Sequence, residues 1–185
     1  MEVTPLFGYR TTINFTAEPG IEGVAPKVVV ASNPAYGIAV GFRAHDEDVV
    51  EFRWSRQQTR LRVMGPIVVP SNARVTLDQF HMDCSHEYVV DEWPLWVRPY
   101  IMGSVGATRI SGTDGFGSIT RFSFGIGAGI KVFPSRQLGF KVQAEWLPLV
   151  MTQDVRALCS GGCVIHFRAQ VASQGEVTIG PVFRF

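Results

Sequence analysis

The sequence predicts an all-β chain: an eight-stranded antiparallel, up-and-down transmembrane β-barrel, built as a single domain over residues 1–185. Three observations lead there. Segment after segment alternates with a period of two, the spacing that sends successive side chains to opposite faces of a strand. On one face the residues are large and apolar, while on the other they are glycine, hydroxyl or full charge. Eight such segments can be placed, and the connections between them alternate short and long, as an even-stranded barrel with turns at one end and loops at the other requires.

The clearest case is Phe122 to Trp146. Phe122, Phe124, Ile126, Ala128, Ile130 and Val132 alternate with Arg121, Ser123, Gly125, Gly127, Gly129 and Lys131. After a turn at Phe133–Gln137, Leu138, Phe140, Val142, Ala144 and Trp146 alternate with Gly139, Lys141, Gln143 and Glu145. A soluble sandwich would wet its polar face, but this one is too rich in glycine for an ordinary wet surface. Glycine inside a strand is costly unless something must come close to it. A narrow barrel lumen, holding a few long charged side chains beside small ones, supplies that reason, and it leaves the apolar face for lipid.

Bulk composition agrees. Net charge is +1 with a pI near 7.8, which gives no electrostatic footprint for nucleic acid. Mean hydropathy is only +0.14 and no run approaches the roughly 18 apolar residues of a membrane helix. Alternating strands halve the hydropathy signal, so that value is compatible with a membrane barrel. The start, Met1-Glu2-Val3-Thr4-Pro5, lacks the basic and apolar regions of a signal peptide. The expectation is a mature outer-membrane chain carrying an added Met1.

In chain order, the first strand is placed at Val3 to Phe15, with Phe7 and Tyr9 outward and Leu6, Gly8 and Arg10 inward. The second centres on Tyr36, Ile38, Val40 and Phe42, with Gly37, Ala39, Gly41 and Arg43 inward. Past the turn at His45–Asp48, Val50, Phe52 and Trp54 face out while Glu51, Arg53, Ser55 and Gln57 face in. Arg60 to Asn72, with its glycine and prolines, reads as a loop. In the fourth strand Val75 and Leu77 have one parity and Phe80, Met82 and Cys84 the other, which predicts a bulge near Asp78. Beyond it Gln79, His81, Asp83, Ser85 and Glu87 point inward. A turn at Asp91–Pro94 leads to a fifth strand with Arg98, Tyr100, Met102 and Ser104 inward. The 122–146 hairpin supplies strands six and seven. The eighth ends the chain, with Val177, Ile179, Pro181, Phe183 and Phe185 outward and Glu176, Thr178 and Arg184 inward. Stretches 16–33, 58–74, 110–117 and 151–174 read as the longer connections, which puts both termini in the periplasm. Tyr88, Trp93, Trp96, Phe133, Phe183 and Phe185 are expected as an aromatic girdle on the short-turn side.

With these residues in view, the chain resembles the outer-membrane β-barrel domain family, the small OmpA-type eight-stranded barrels. The residues that carry the likeness are Val3-Thr4-Pro5-Leu6-Phe7-Gly8-Tyr9-Arg10, Arg98-Pro99-Tyr100 and Phe124-Gly125-Ile126-Gly127-Ala128-Gly129. Val182-Phe183-Arg184-Phe185 resembles the terminal signal that the outer-membrane assembly machinery recognises, with Phe183 and Phe185 in the aromatic positions. The resemblance implies architecture and an outer-membrane address; activity has to come from a site.

The inward charges are the main constellation: Arg10, Glu51, Arg53, His81, Asp83, Arg98, Lys141 and Glu145. None could face hydrocarbon unpaired. A lumen of eight strands is only wide enough to be filled by side chains, which favours a salt-bridge plug over a gated ion path. His81 and Asp83 with Ser55 or Ser85 offer the residue types of a catalytic triad, but no spacing motif supports one. Small outer-membrane barrels include lipid A deacylases and palmitoyl transferases. The deacylase signature His-x-Ser-Asn is missing, since His166 precedes Phe167-Arg168 and His81 precedes Met82-Asp83. No catalytic residue, metal or cofactor is expected. Cys159 and Cys163 are a candidate disulfide, or two free thiols, and with only His166 nearby they fall short of a metal site. Cys84 is left over as a small apolar residue. Gly125-x-Gly127-x-Gly129 continues into a strand rather than a helix, so it is not a nucleotide loop. The sequon at Asn14 is discounted because Asn14 faces the lumen.

The function these readings imply is a non-enzymatic, monomeric membrane anchor. Outer-membrane lipid and the assembly machinery are its partners, and an extracellular partner could meet its loops, where Val63 to Val69 is apolar. The alternative is a narrow OmpW-like channel for small or apolar solutes. A soluble lipocalin-type barrel would need the reverse polarity.

Overall fold

A strand with one apolar and one ionic face must keep the two in different media, and a sheet does so by closing on itself, which also removes its edges. The structure, a computed structural model, describes residues 1–11, 13–16, 27–64, 74–91, 93–94, 96–112, 117–149, 155–158, 164–167 and 172–185. Its strands are β1 (Glu2–Arg10), β2 (Ile13–Thr16), β3 (Lys27–Val30), β4 (Asn33–Arg43), β5 (Asp48–Met64) and β6 (Arg74–Glu87). There follow β7 (Val97–Gly112), β8 (Ser118–Val132), β9 (Leu138–Leu149), β10 (Val155–Leu158), β11 (Val164–Phe167) and β12 (Ala172–Arg184). Eight of them close a ring in the order β1, β4, β5, β6, β7, β8, β9, β12 and back to β1, with every neighbour antiparallel.

The polarity is inverted relative to a water-soluble core. Phe7, Phe52, Phe80, Phe122, Ile126 and Phe140 point outward and are 49–61% exposed, while Arg10 and Lys131 point inward and are 0% exposed. Tyr88, Trp93, Trp96 and Phe183 stand exposed at the short-turn end. Toward the other end Tyr36 and Trp54 meet edge to face at 6.2 Å, with the Arg56 guanidinium 5.6 Å from the Trp54 ring. Arg56 also pairs outside the wall with Asp78 at 2.7 Å. Aromatic rings followed by charge mark the boundaries of an apolar band.

The short connections at one end join β4 to β5 (residues 44–47), β6 to β7 (88–96) and β8 to β9 (133–137). Both chain ends lie there too: the Met1 amino group donates to the Phe185 carbonyl at 3.2 Å, and the Phe185 amide donates to the Met1 carbonyl at 2.9 Å. The closing ladder between β1 and β12 runs from Phe7↔Ile179 to Arg10↔Glu176, with a second patch at Glu2↔Arg184 and Val3↔Phe183. Between the patches the same register sets Pro5 opposite Pro181. Neither can donate a backbone hydrogen bond, so the ladder of the seam is interrupted there.

The structure corrects several expectations. The fourth strand has no bulge: β6 pairs β5 without interruption from Asp48↔His86 to Arg60↔Arg74, and it pairs β7 equally regularly. Val75 and Leu77 face the lumen, where they cluster with Val30 and Leu149 under Ile110. Reading them as wall residues because they are apolar created the false parity switch. Segments read as loops are partly strand: β5 continues to Met64 and pairs β3, which pairs β2, so a three-stranded fringe rises above the ring. Likewise β7 reaches Gly112, β8 starts at Ser118, and β10 and β11 form a separate ribbon. Outside the hydrocarbon, polar residues suffice on both faces, so the alternation fades while the ladder continues. Phe133 is no girdle residue: it is 8% exposed, it packs beside Gly139, and the Arg184 guanidinium lies 3.8 Å from its ring centroid.

Candidate functional site

Period two decides which residues enter the lumen, and strand stagger then decides which of them share a level. Nearest the turns, Lys131 Nζ reaches Glu87 at 2.9 Å, Glu2 at 3.0 Å and Glu51 at 3.4 Å. Lys141 pairs with Glu51. Both ammoniums stand 5.5 Å from the centroid of the Tyr100 ring, whose hydroxyl donates to Gln143 Oε1 at 2.9 Å. Arg184 donates to Glu2 at 2.7 Å and Arg43 to Glu87 at 3.1 Å, which completes this level from the rim.

The next level is centred on Arg53. Its Nη1 and Nη2 donate to the two oxygens of Glu145 at 2.5 and 2.9 Å, while Nε sits 2.9 Å from Asp83 Oδ2 and Nη2 donates to Oδ1 at 3.2 Å. A planar guanidinium clasped by two carboxylates uses its fork geometry fully. Ser104 Oγ donates to Glu145 at 2.6 Å. Room for that carboxylate comes from Gly125, where a Cβ would stand 2.3 Å from Glu145 Oε1 and 2.5 Å from Ser104 Oγ. Gly129 does the same for Tyr100, whose hydroxyl lies 2.4 Å from the position of an added Cβ. Gly125 and Gly129 are therefore the seats of side chains from neighbouring strands, whereas an added Cβ at Gly127 would meet the Ala144 backbone carbonyl. Above them Arg10 pairs with Glu176 at 3.0 Å and bonds Ser55, and Gln174 donates to Gln57 at 3.3 Å. The apolar cluster of Val75, Leu77 and Leu149 lies beyond.

Among the described residues, six buried carboxylates point into the lumen (Glu2, Glu51, Asp83, Glu87, Glu145, Glu176) opposite four buried cations (Arg10, Arg53, Lys131, Lys141). Arg43 and Arg184 at the rim bring the cations to six. Arg10, Tyr100, Lys131, Lys141 and Gln57 are all less than 2% exposed, so the middle of the lumen is filled.

Of the residues the sequence singled out, Arg10, Glu51, Arg53, His81, Asp83, Lys141 and Glu145 converge in these levels. Arg98 is half-buried at the turn-end mouth, where it lines a cleft with Arg43, Arg136 and Arg184. Glu2, Glu87, Lys131 and Glu176 belong to the network and were not singled out, although Glu87, Lys131 and Glu176 share the inward parity of their strands. Glu2 fell one residue before the placed strand start. Cys159 and Cys163 lie outside the described residues, as do Gly65 to Val69 of the apolar stretch. Cys84 is a free thiol exposed on the outer face.

The chemistry open to the lumen is narrow. His81, Asp83 and Glu145 bring ligand atoms within 4.8 Å of one another, the spacing of a metal site. Arg53, however, already contacts all three, so the cation of that cluster is built into the chain. A serine does meet His81, but it is Ser123, at 2.7 Å from Nε2. Ser55 instead bonds Arg10, and Ser85 donates to the Val49 carbonyl at 3.3 Å. Arg53 Nη2 stands 3.3 Å from His81 Nδ1, and an arginine offers only donors, so Nδ1 accepts and Nε2 carries the proton toward Ser123. That is the wrong tautomer for a general base, and Ser123 is fully buried.

No family model matches the sequence, and no curated protein matches it. Solved structures do match the fold. The crystal structure of Neisserial surface protein A (NspA) superposes with a TM-score of 0.62 at 12% identity, covering 99% of this chain and 97% of that one. The outer membrane protein OprG from Pseudomonas aeruginosa superposes with a TM-score of 0.65 at 13% identity, covering 100% and 95%. The fold is that of the outer-membrane β-barrels. At such identities the likeness is one of backbone, and the lumen side chains of this barrel have to be interpreted on their own.

Proposed function

We propose that this chain is an outer-membrane protein whose barrel is a sealed, ion-braced anchor and whose long-loop end is its interaction surface. The observation that carries the reading is the Arg53 level: a guanidinium clasped by Asp83 and Glu145, all three 5% exposed or less, spanning the lumen from β5 to β9. An open pore would keep such charges wet. Here each finds its counter-charge in protein, which offsets the desolvation penalty of several kcal/mol that a buried ion carries. The outward apolar band and its aromatic borders support residence in a bilayer. The gathering of both termini and the short turns at one end supports a periplasmic location for that end. Exposed Phe183 and terminal Phe185 support recognition of β12 by the assembly machinery. Closure of every barrel edge supports a monomer, and the buried Ser123 with its misdirected histidine supports a non-enzymatic role.

The test is electrical. The refolded protein is inserted into planar bilayers in potassium chloride, and current is followed while voltage is stepped. The sealed anchor predicts silence, and it predicts that Arg53→Met, by breaking the brace, makes the barrel leak. Stepwise currents in the unaltered protein that disappear on Glu51→Gln would overturn the anchor and establish a channel.

A further inference from the structure

On the outer face of β5, β6 and β7 the register stacks side chains in rows. Trp54 stands opposite Phe80, and Phe80 opposite Ala107, in the last apolar row before the long-loop end. One outward position beyond, Arg56 faces Asp78 and Asp78 faces Arg109; two outward positions further, Arg60 faces Arg74. Arg60, Arg74 and Arg109 are exposed, whereas Asp78 is buried and Arg56 takes both of its oxygens, with Nε at 2.7 Å and Nη2 at 3.1 Å. Among the described residues, four arginines thus share one carboxylate on this face, and Arg74 has a further interaction of its own. The positive excess survives a count of every residue at this end. Residues 11–33 hold one arginine or lysine, 56–78 four, and 107–121 and 150–174 two each, nine in all. The acids of the same segments are five: Asp78, and Glu18, Glu22, Asp114 and Asp154, which lie outside the described residues. With each acid matched to one cation, four positive charges remain. The short connections at the opposite end have the reverse balance, with Asp46, Glu47, Asp91 and Glu92 against Arg136.

We infer that this part of the outer wall is a docking band for anionic lipid headgroups, whose phosphates the arginines engage. Lipid is the occupant because these side chains continue the lipid-facing rows of the wall, outside the lumen. The height of the band fits a headgroup. One outward position is about 7 Å along a strand, less in depth because barrel strands tilt, and the polar layer on each side of the hydrocarbon is roughly 5–7 Å thick. Arg56 and Arg109 therefore stand in that layer. Arg60 and Arg74 lie about a Debye length above it, close enough to add to its field. Tyr36, opposite Arg56, and Trp54 below set the depth, as aromatic rings do at the polar border of a bilayer. Planar guanidinium forks match phosphate oxygens bidentately. The inference rests on the bilayer residence proposed above and holds whether or not the lumen conducts.

Trp93→Phe/Trp96→Phe/Trp146→Phe leaves Trp54 as the one tryptophan, a reporter at the foot of the band. This form is refolded into vesicles of phosphatidylcholine mixed with phosphatidylglycerol, with bromines on the chains of one lipid or the other. Quenching of Trp54 then gives the relative affinity of the two headgroups for that stretch of wall. A docking band predicts that phosphatidylglycerol is favoured about fivefold or more, the effect of a cation close to an anionic surface. The preference falls below about twofold in Arg60→Gln/Arg109→Gln and in about 1 M salt, and it is unchanged in Arg136→Gln at the opposite end. Heat-dependent gel mobility checks that each variant is a folded barrel. Equal affinity of the two headgroups, or a preference indifferent to the double substitution, overturns the band while quenching by brominated phosphatidylcholine still shows a wall in lipid. Absence of quenching by either brominated lipid overturns bilayer residence and the band together.

Discussion

Replacing Arg53 by methionine removes the cation from the central level while nearly preserving the volume of its stem. Asp83 and Glu145 then face each other in a space from which solvent is excluded, each having lost donors at 2.5–3.2 Å. Breaking a buried pair by deleting one partner costs about 3–5 kcal/mol, because the charge left behind stays desolvated. Here two carboxylates are stranded by one substitution, so the upper part of that range is expected. Adding Glu145→Gln removes one stranded charge and should recover part of the loss, giving a coupling of at least about 1 kcal/mol in a double-mutant cycle. Reversible urea unfolding of the barrel in lipid vesicles, followed by tryptophan emission and gel mobility, measures both quantities. A loss below about 1 kcal/mol for Arg53→Met, in the range of an exposed ion pair, would refute the brace.

Other outcomes follow from the same geometry. Gly125→Ala places a Cβ 2.3 Å from the Glu145 carboxylate and should destabilise by about 1–3 kcal/mol, whereas Gly103→Ala meets nothing within 4 Å and should be near neutral in the same unfolding assay. Phe52→Arg, on the outer face and one outward position inside the Trp54 border, should cost about 2–4 kcal/mol in a bilayer, as a cation does near the midplane of a barrel wall. Amides along the β1–β12 seam, interrupted by the facing prolines Pro5 and Pro181, should exchange with deuterium sooner than those of the unbroken β5–β6 ladder.

Much of the wall could be read from the chain because a membrane barrel obeys one strong rule, that outward means apolar and inward means small or charged. Phe7, Ile38, Phe52, Ile126 and Phe140 stand where that rule puts them. The rule misled where the lumen itself turns apolar. Val75 and Leu77 fill a level that lies beyond the salt bridges, and nothing in their own segment distinguishes a lumen leucine from a lipid-facing one. Phe133 misled for a related reason: at a turn the alternation stops, and only the packing of Arg184 and Gly139 around its ring reveals that it closes the mouth from within. The charged set was legible as a face but not as pairs. Parity tells that Arg53 and Glu145 both point inward, while their meeting across 92 residues of chain depends on how far each strand is staggered along the barrel. Strand ends were the least legible, since beyond the apolar band the ladder of β5 runs on to Met64 without needing an alternating sequence.

The central claim is that the apolar face meets lipid and the ionic face is enclosed, and spin labels report on it directly. With Cys159 and Cys163 replaced by serine, a nitroxide on the natural Cys84, and in separate variants on Ile126→Cys and Phe140→Cys, is examined in vesicles by power saturation. The account predicts that apolar oxygen relaxes all three labels far better than a water-soluble nickel chelate. Preferential relaxation by the chelate at these positions would place the row in water and contradict it.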